Sequence, residues 1–406
     1  DLGGEFRFLE SNYYGQIRGS VLPGDALRGM DRWSLSSQFS GRFNTGLQAV
    51  GGVGLSLNLN RVSDDNYWRD FTRDASGLTQ RLFANDASVN WARGYWSASA
   101  RVLKWQTLQD VASPITPPYD RLPQLNARYA RTNLGGFNAS IDADLTQFQA
   151  DAVLTGQPNA KRAFALAQVI RPFVYPSGYI TPKLQLHTTA YHLNSTAASS
   201  DSFVQRSVPT LSVDSGLFFE RTSTLWGRGF QQTLEPRMFY VRTPYRNQSA
   251  LPNYDSGAKD FSFSTIYSEN AFVGNDRISD AHLLTLGVNS RWIDGPTGLE
   301  SLRMGIAQRY RMADQLVTLP SEAPITDKRS DWLVHAGVTA HPSWAFDGTV
   351  QFGAKTNVSE RTTLSTRFNP SNYRALYAAY RMQKDVSEQI DVGWQWQIGR
   401  ASCRER

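Results

Sequence analysis

Along most of its length this chain alternates apolar and polar residues one by one. Phe137, Ala139, Ile141, Ala143 and Leu145 interleave with Asn138, Ser140, Asp142, Asp144 and Thr146. Val53, Leu55, Leu57 and Leu59 do the same with Gly54, Ser56, Asn58 and Asn60, and Ile390, Val392, Trp394 and Trp396 with Asp391, Gly393, Gln395 and Gln397. Successive side chains of a strand point to opposite faces, so each run is a ribbon with one apolar and one polar side. No helical period of useful length competes. The pattern predicts an all-β protein.

The links between ribbons constrain the arrangement further. Short ones fall at Arg93-Gly94, Asn133-Leu134-Gly135-Gly136, Pro176-Ser177-Gly178, Asp294-Gly295-Pro296 and His341-Pro342-Ser343, where Gly, Pro or Asn supply tight turns. Long polar ones cover Arg61–Asp86, Leu108–Leu122, Gln149–Lys161, Asn194–Gln205, Thr243–Asp280 and Ala313–Ser330. Short and long alternate. An antiparallel meander with that alternation carries its long loops at one end and its turns at the other, the layout of an up-and-down transmembrane β-barrel with long extracellular loops and short periplasmic turns. Ribbons such as Phe137–Phe148 and Tyr179–Leu193 have the roughly 9–11 residues that a spanning strand needs. About 19 such strands are expected. Trp91, Tyr95, Trp96, Trp292 and Trp344 near ribbon ends fit an interfacial girdle, although aromatics favour strands anyway.

Composition removes the competing classes. Charged residues make up 19% of the 406 and apolar ones 40%, which excludes a disordered chain. The longest unbroken apolar run, Ala375–Tyr380, is far short of the roughly 18–20 residues of a membrane-crossing helix. One cysteine, Cys403, excludes a disulfide scaffold or a cysteine-built metal site. If lipid lies outside, the polar sides must line a lumen, and Asn138, Ser140, Asp142 and Asp144 are expected to face it.

Signs of catalysis are few. His187 and His192 sit on opposite sides of one ribbon, and His282, His335 and His341 make no ligand pattern, so no metal site is expected. Asp142 and Asp144 share a side and would suit acid–base work, but luminal solvation is the plainer reading. No nucleotide loop, nucleophile elbow or dinucleotide fingerprint occurs, so no catalytic residue and no cofactor is expected. A formal net charge of +6 inclines the chain mildly toward anionic ligands such as lipid phosphates. No basic patch with stacking aromatics points to nucleic acid.

The run Gln232-Thr233-Leu234-Glu235-Pro236-Arg237, then Pro244-Tyr245-Arg246-Asn247-Gln248-Ser249 and Asn253-Tyr254-Asp255-Ser256, resembles the barrel of the LPS-assembly outer-membrane protein family LptD, the organic solvent tolerance proteins. Asp276-Arg277-Ile278-Ser279-Asp280-Ala281, leading into Leu284-Thr285-Leu286-Gly287, continues the resemblance, as do Glu5-Phe6-Arg7-Phe8-Leu9 and Asn12-Tyr13-Tyr14-Gly15. His282 stands where the family commonly has Asn, and Ala307-Gln308 where it often has Gly-Gln. The resemblance runs from about Glu5 to Ile398.

It implies a Gram-negative outer-membrane barrel of 26 strands that inserts lipopolysaccharide into the outer leaflet through its lumen and a lateral gate. The implied partners are a plug lipoprotein, LptE, and a periplasmic lipopolysaccharide bridge reached through a jellyroll domain. Relative to that template the chain lacks the jellyroll, the gate strands and the family's cysteines. Residues 1–399 are then expected to be a partial barrel, about 19 of the 26 strands. Residues 400–406, Arg400 to Arg406, are expected to be a non-barrel tail of foreign origin, since the alternation stops near Gly399. The implied inward-folding loop is Tyr245–Ser256, in which Tyr245, Arg246, Gln248, Tyr254 and Asp255 are candidate contacts to the plug. The alternative, that Arg246 and Asp255 pin the loop to itself, stays open. The link Asp64–Arg81, with Tyr67, Trp68 and Phe71, is a second candidate cap. The competing functions are a passive diffusion porin and a soluble carbohydrate-active β-protein.

Overall fold

A computed structural model describes residues 2–48, 50–71, 81–110, 113–194, 202–225 and 227–396. The expected tail 400–406 lies outside them, with Cys403. One sheet holds 21 strands, from Leu2–Leu9 at one edge to Ser387–Gln395 at the other. Every ladder in it is antiparallel and joins chain neighbours, as in Tyr13–Asp25 with Met30–Asn44 and Phe137–Gln149 with Ala160–Ile170. Two strands only continue a pass already begun. Phe173–Tyr175 extends Ala160–Ile170 along Gly178–Leu193, and Phe219–Leu225 extends Ser202–Leu217 along Arg228–Thr243. Nineteen passes remain, the expected number. No ladder joins the two edge strands among the described residues, so the sheet is an open part of a barrel wall.

The links sort by end. Gly94-Tyr95, Gly135-Gly136, Pro176-Ser177 and Pro342-Ser343 turn at one rim, and the longer links that follow Val62, Thr107, Gln149, Thr243 and Arg311 all leave from the other. Toward the edges the described links at that rim shorten to residues 26–29, 353–358 and 384–386. The described helices are two single turns inside long links, Tyr67–Asp70 and Ala152–Thr155, the second capped by the Asp151 carboxylate, which accepts from the backbone N–H groups of Val153 and Leu154. Trp91, Tyr95, Trp96, Trp292 and Trp344 gather at the short-turn rim.

The alternation resolves into two different environments. Ile141 and Leu145 are each 53% exposed, whereas Ser140 and Asp144, one position earlier, retain 6% and 4%. Apolar side chains face outward, and from Phe137–Gln149 onward the chain's own segment 244–280 lies over the polar side. That segment reaches side chains from Phe148 to Arg361, so the sheet curves around it. The side facing it is called the inner face below. It is not polar throughout. Phe239, Val241, Ala281 and Leu283 meet Tyr267 there, and Ala307 and Leu333 meet Ile266, Phe261 and Phe263. The loop excludes water from those patches, so apolar residues are stable on an otherwise wet side.

Candidate functional site

Arg162 organises the inner face. It projects from the strand Ala160–Ile170, and its side chain is fully buried. The guanidinium donates through Nη2 to Asp144 Oδ1 at 3.0 Å and through Nη1 to Asp276 Oδ1 at 2.8 Å, with Asp255 Oδ2 also 2.8 Å away. Phe148 stacks beneath it, 4.8 Å from ring centre to guanidinium carbon. Tyr191 donates its hydroxyl to Asp276 Oδ1 at 2.7 Å, and the backbone N–H groups of Tyr254 and Asp255 donate to Asp276 Oδ2 at 2.6 and 2.7 Å. Arg206, on the strand Ser202–Leu217, donates to the backbone carbonyls of Asn275 and Asp276 and to Gln248 Oε1. Residues far apart in sequence thereby become one buried network joining the loop to four strands.

The two loop carboxylates divide their charge. Burial raises the Asp255 carboxyl, and the Asp276 charge beside it pushes the same way. Burial also opposes ionisation of Asp276, but Arg162 and the hydrogen bonds from Asp255, Tyr191 and Arg162 outweigh it and hold that carboxyl below its ordinary value. Asp255 is therefore the partner that holds a proton more readily.

Two glycines make the close approach possible. Gly274 has φ +72°, and a Cβ there would lie 2.2 Å from the Asp255 carbonyl oxygen. A Cβ on Gly287, in the strand Ala281–Asp294, would lie 2.0 Å from the Tyr267 hydroxyl.

The residues expected from sequence separate into groups. Gln248 is buried; it donates to the Ile278 carbonyl at 2.7 Å and accepts from the Ile278 N–H. Tyr254 donates to the Pro158 carbonyl at 2.8 Å and stacks on Phe148 at 4.6 Å. Asp255 reaches Arg162 on the wall, and no ion pair joins it to Arg246. Tyr245 and Arg246 stay exposed at the rim. Among the strand residues, Asp144 joins the Arg162 network and also accepts from Gln124, and Ser140 accepts from Gln168. Asp142 pairs with Arg128 at 2.9 Å, and Asn138 accepts from the Asn133 N–H. Asp142 and Asp144 thus take separate cations. Arg162, Tyr191, Arg206 and Gly274 have no signal in local sequence beyond their place on a polar side, because their partners lie in a distant link.

The link 63–81 builds a smaller version at its described end. Arg32, fully buried, pairs with Asp25, Asp64 and Asp70 at 2.9–3.1 Å and lies 4.5 Å from the Phe71 ring centre. Arg28 first and then Arg32 hold the Asp70 carboxyl below its ordinary value against the cost of burial.

A sequence profile described as "LPS transport system D", LptD, matches residues 30–401. The chain belongs to the LptD family. It is 57% identical over 404 residues to the LPS-assembly protein LptD of Polaromonas sp., covering 98% of this chain and 49% of that protein. To the LPS-assembly protein LptD of Ralstonia nicotianae it is 37% identical over 412 residues, covering 98% and 50%. The chain spans about half the length of the curated relatives it matches. Among solved structures, the alcaligin outer-membrane receptor FauA of Bordetella pertussis aligns over 94% of this chain and 73% of that one at a TM-score of 0.37 and 8% identity, too remote to bear on the fold. The runs around Gln248, Tyr254, Asp255 and Asp276 on which the sequence resemblance rests are the ones that dock the loop.

Proposed function

We propose that this chain is part of the wall of an outer-membrane conduit in a Gram-negative bacterium that carries lipopolysaccharide to the outer leaflet. The observation that carries the reading is the two-sidedness of a curved LptD-family sheet: apolar residues outward, hydroxyl, amide and charged groups inward. Lipopolysaccharide combines sugars that hydrocarbon rejects with acyl chains that water rejects. A wall with these two faces suits both: sugars follow the inner face, and acyl chains leave sideways where strand pairing ends. The long links then face outside the cell, and Asn138, Ser140, Asp142 and Asp144 face the lumen. No bond is made or broken by this chain, and the free energy for lifting the lipid comes from other components.

In this reading the plug lipoprotein LptE meets the exposed Tyr245 and Arg246, while Gln248, Tyr254 and Asp255 hold the loop in position for it. The periplasmic lipopolysaccharide bridge connects through the jellyroll of the longer protein. Depletion of the full-length protein should reduce newly labelled surface lipopolysaccharide several-fold. Undiminished delivery, or steady ion conduction by the plugged full-length barrel, would favour a passive porin instead.

A further inference from the structure

Beside the inward loop, away from Arg162, a cavity of about 320 Å³ opens between residues 258–272, the outer link 312–331 and the strands Glu300–Arg311 and Trp344–Phe352. We propose that this cavity binds an anionic group, a phosphate or carboxylate carried on a sugar, through Lys259, Arg309 and Arg311.

Four cationic side chains line it, Lys259, Arg309, Arg311 and the exposed Arg329, and among the described residues no carboxylate lies within ion-pair distance of any of them. Arg309 is buried and donates only to neutral acceptors, the carbonyls of Thr265 and Ile266 and the Thr285 hydroxyl. Arg311 donates through Nη1 to the Asp327 carbonyl at 3.1 Å, and its buried Nε has no acceptor. The Lys259 ammonium, half-buried, makes no hydrogen bond to protein. Burial pushes it below the ordinary lysine value, with only partial relief from Glu269, and Glu269 is already held by Lys183 and Ser212.

Of the four acids that line the cavity, two already serve other cations and the other two stay beyond ion-pair distance of its cations. Asp260 pairs with Arg361 and Asp327 with Lys355, while Asp331 accepts from Gln351 Nε2 at 2.7 Å and the Ala354 N–H at 3.2 Å. Glu322 is exposed. Cations removed from water without a counter-charge are strongly unfavourable, and on this wall Arg162, Lys183 and Arg361 each meet a loop carboxylate, while Arg206 is met by carbonyl and amide oxygens. Here the Lys259 ammonium and the Arg311 Nε have no acceptor among the described residues, and an anionic ligand supplies one. The volume admits one sugar-sized group and not a whole lipid, and Gln315, Thr318 and Ser268 add neutral groups suited to sugar hydroxyls. The sugar half of this assignment rests on the lipopolysaccharide reading above; the anion half does not.

The test uses the purified full-length protein with its plug in detergent and calorimetric titration with glucose 6-phosphate, inorganic phosphate and glucose. Glucose 6-phosphate should bind, glucose should not, and inorganic phosphate should bind more weakly than the ester. The double variant Lys259→Gln, Arg311→Gln should lose about a hundredfold in affinity, one charge-assisted contact being worth roughly tenfold. If that variant fails to fold, Lys259→Gln alone, which removes no protein contact, should lose about tenfold. Equal affinity in wild type and variant, or no binding of either phosphate, overturns the site. Inorganic phosphate binding as tightly as the ester, with the same loss in the variant, supports the anion half and overturns the sugar half. Because binding is read on purified protein, its outcome is independent of whether surface delivery fails.

Discussion

The inner face has two halves built on different chemistry. From Tyr13–Asp25 to Trp96–Thr107, apart from the Arg32 cluster and the Arg101–Asp86 pair, small neutral groups on it satisfy one another sideways: Ser20 with Ser34 and Ser56 with Ser88, each at 2.7 Å, and Ser36 donating to Asn60 at 3.0 Å. From Phe137–Gln149 onward it carries guanidinium and ammonium groups, and the segment 244–280 crosses it bearing the carboxylates. Asp255 and Asp276 meet Arg162, Glu269 meets Lys183, and Asp260 meets Arg361. A neutral wall needs no cover. A charged wall pulled out of water needs matched charge, and the loop supplies it. At Arg206 and Arg309 the loop offers neutral oxygens in place of a carboxylate, and Arg311 donates to the Asp327 carbonyl of the outer link.

Three measurements would sharpen or break this contrast. The largest effect is expected from Arg162→Ala, which leaves Asp144, Asp255 and Asp276 buried together without their cation. Breaking a buried pair in this way typically costs about 3–5 kcal/mol. The variant should unfold earlier in detergent, and residues 244–280 should become open to protease. A loop that stayed protected would show that the carboxylates are not what holds it.

A smaller effect should follow pH. Asp276 lies below its ordinary value, so its contribution to docking is present above the unfolded carboxylate range of about 4 and is lost as pH falls through its folded value. Asp255 lies above its ordinary value, so its contribution is complete below that range and is lost as pH rises through its folded value. Amide exchange at Tyr254 and Asp255, corrected for intrinsic rates, should therefore show protection falling on both limbs. Flat protection across both limbs would mean the pair does not share a proton. The smallest effect belongs to the neutral half: Ser56→Ala should change stability by no more than about 0.5 kcal/mol, since Ser88 can turn to water. A loss comparable to that of Arg162→Ala would erase the distinction between the halves.

Much of the fold was legible because strand pairing here is local. Each ribbon pairs with its chain neighbour, so alternation and link length suffice to order nineteen passes and to put the long links at one rim. The site was legible only in part. Gln248, Tyr254 and Asp255 stood out as polar and aromatic groups in a long link, but what they bind was not readable. Phe148 fell on a polar side with no local reason to be there. It is buried because Tyr254, more than a hundred positions later, lies flat against it.

The sequence by itself determined which side of each ribbon meets hydrocarbon, since a period of two assigns every residue to a face before any contact is made. Only the tertiary structure decided which inner residues became wet and which became buried. That depends on where one long link falls when the sheet curves, and on one strand aspartate and two aspartates of that link meeting a single arginine. Such a meeting is set by long-range closure and charge balance, and no window of neighbouring residues contains it.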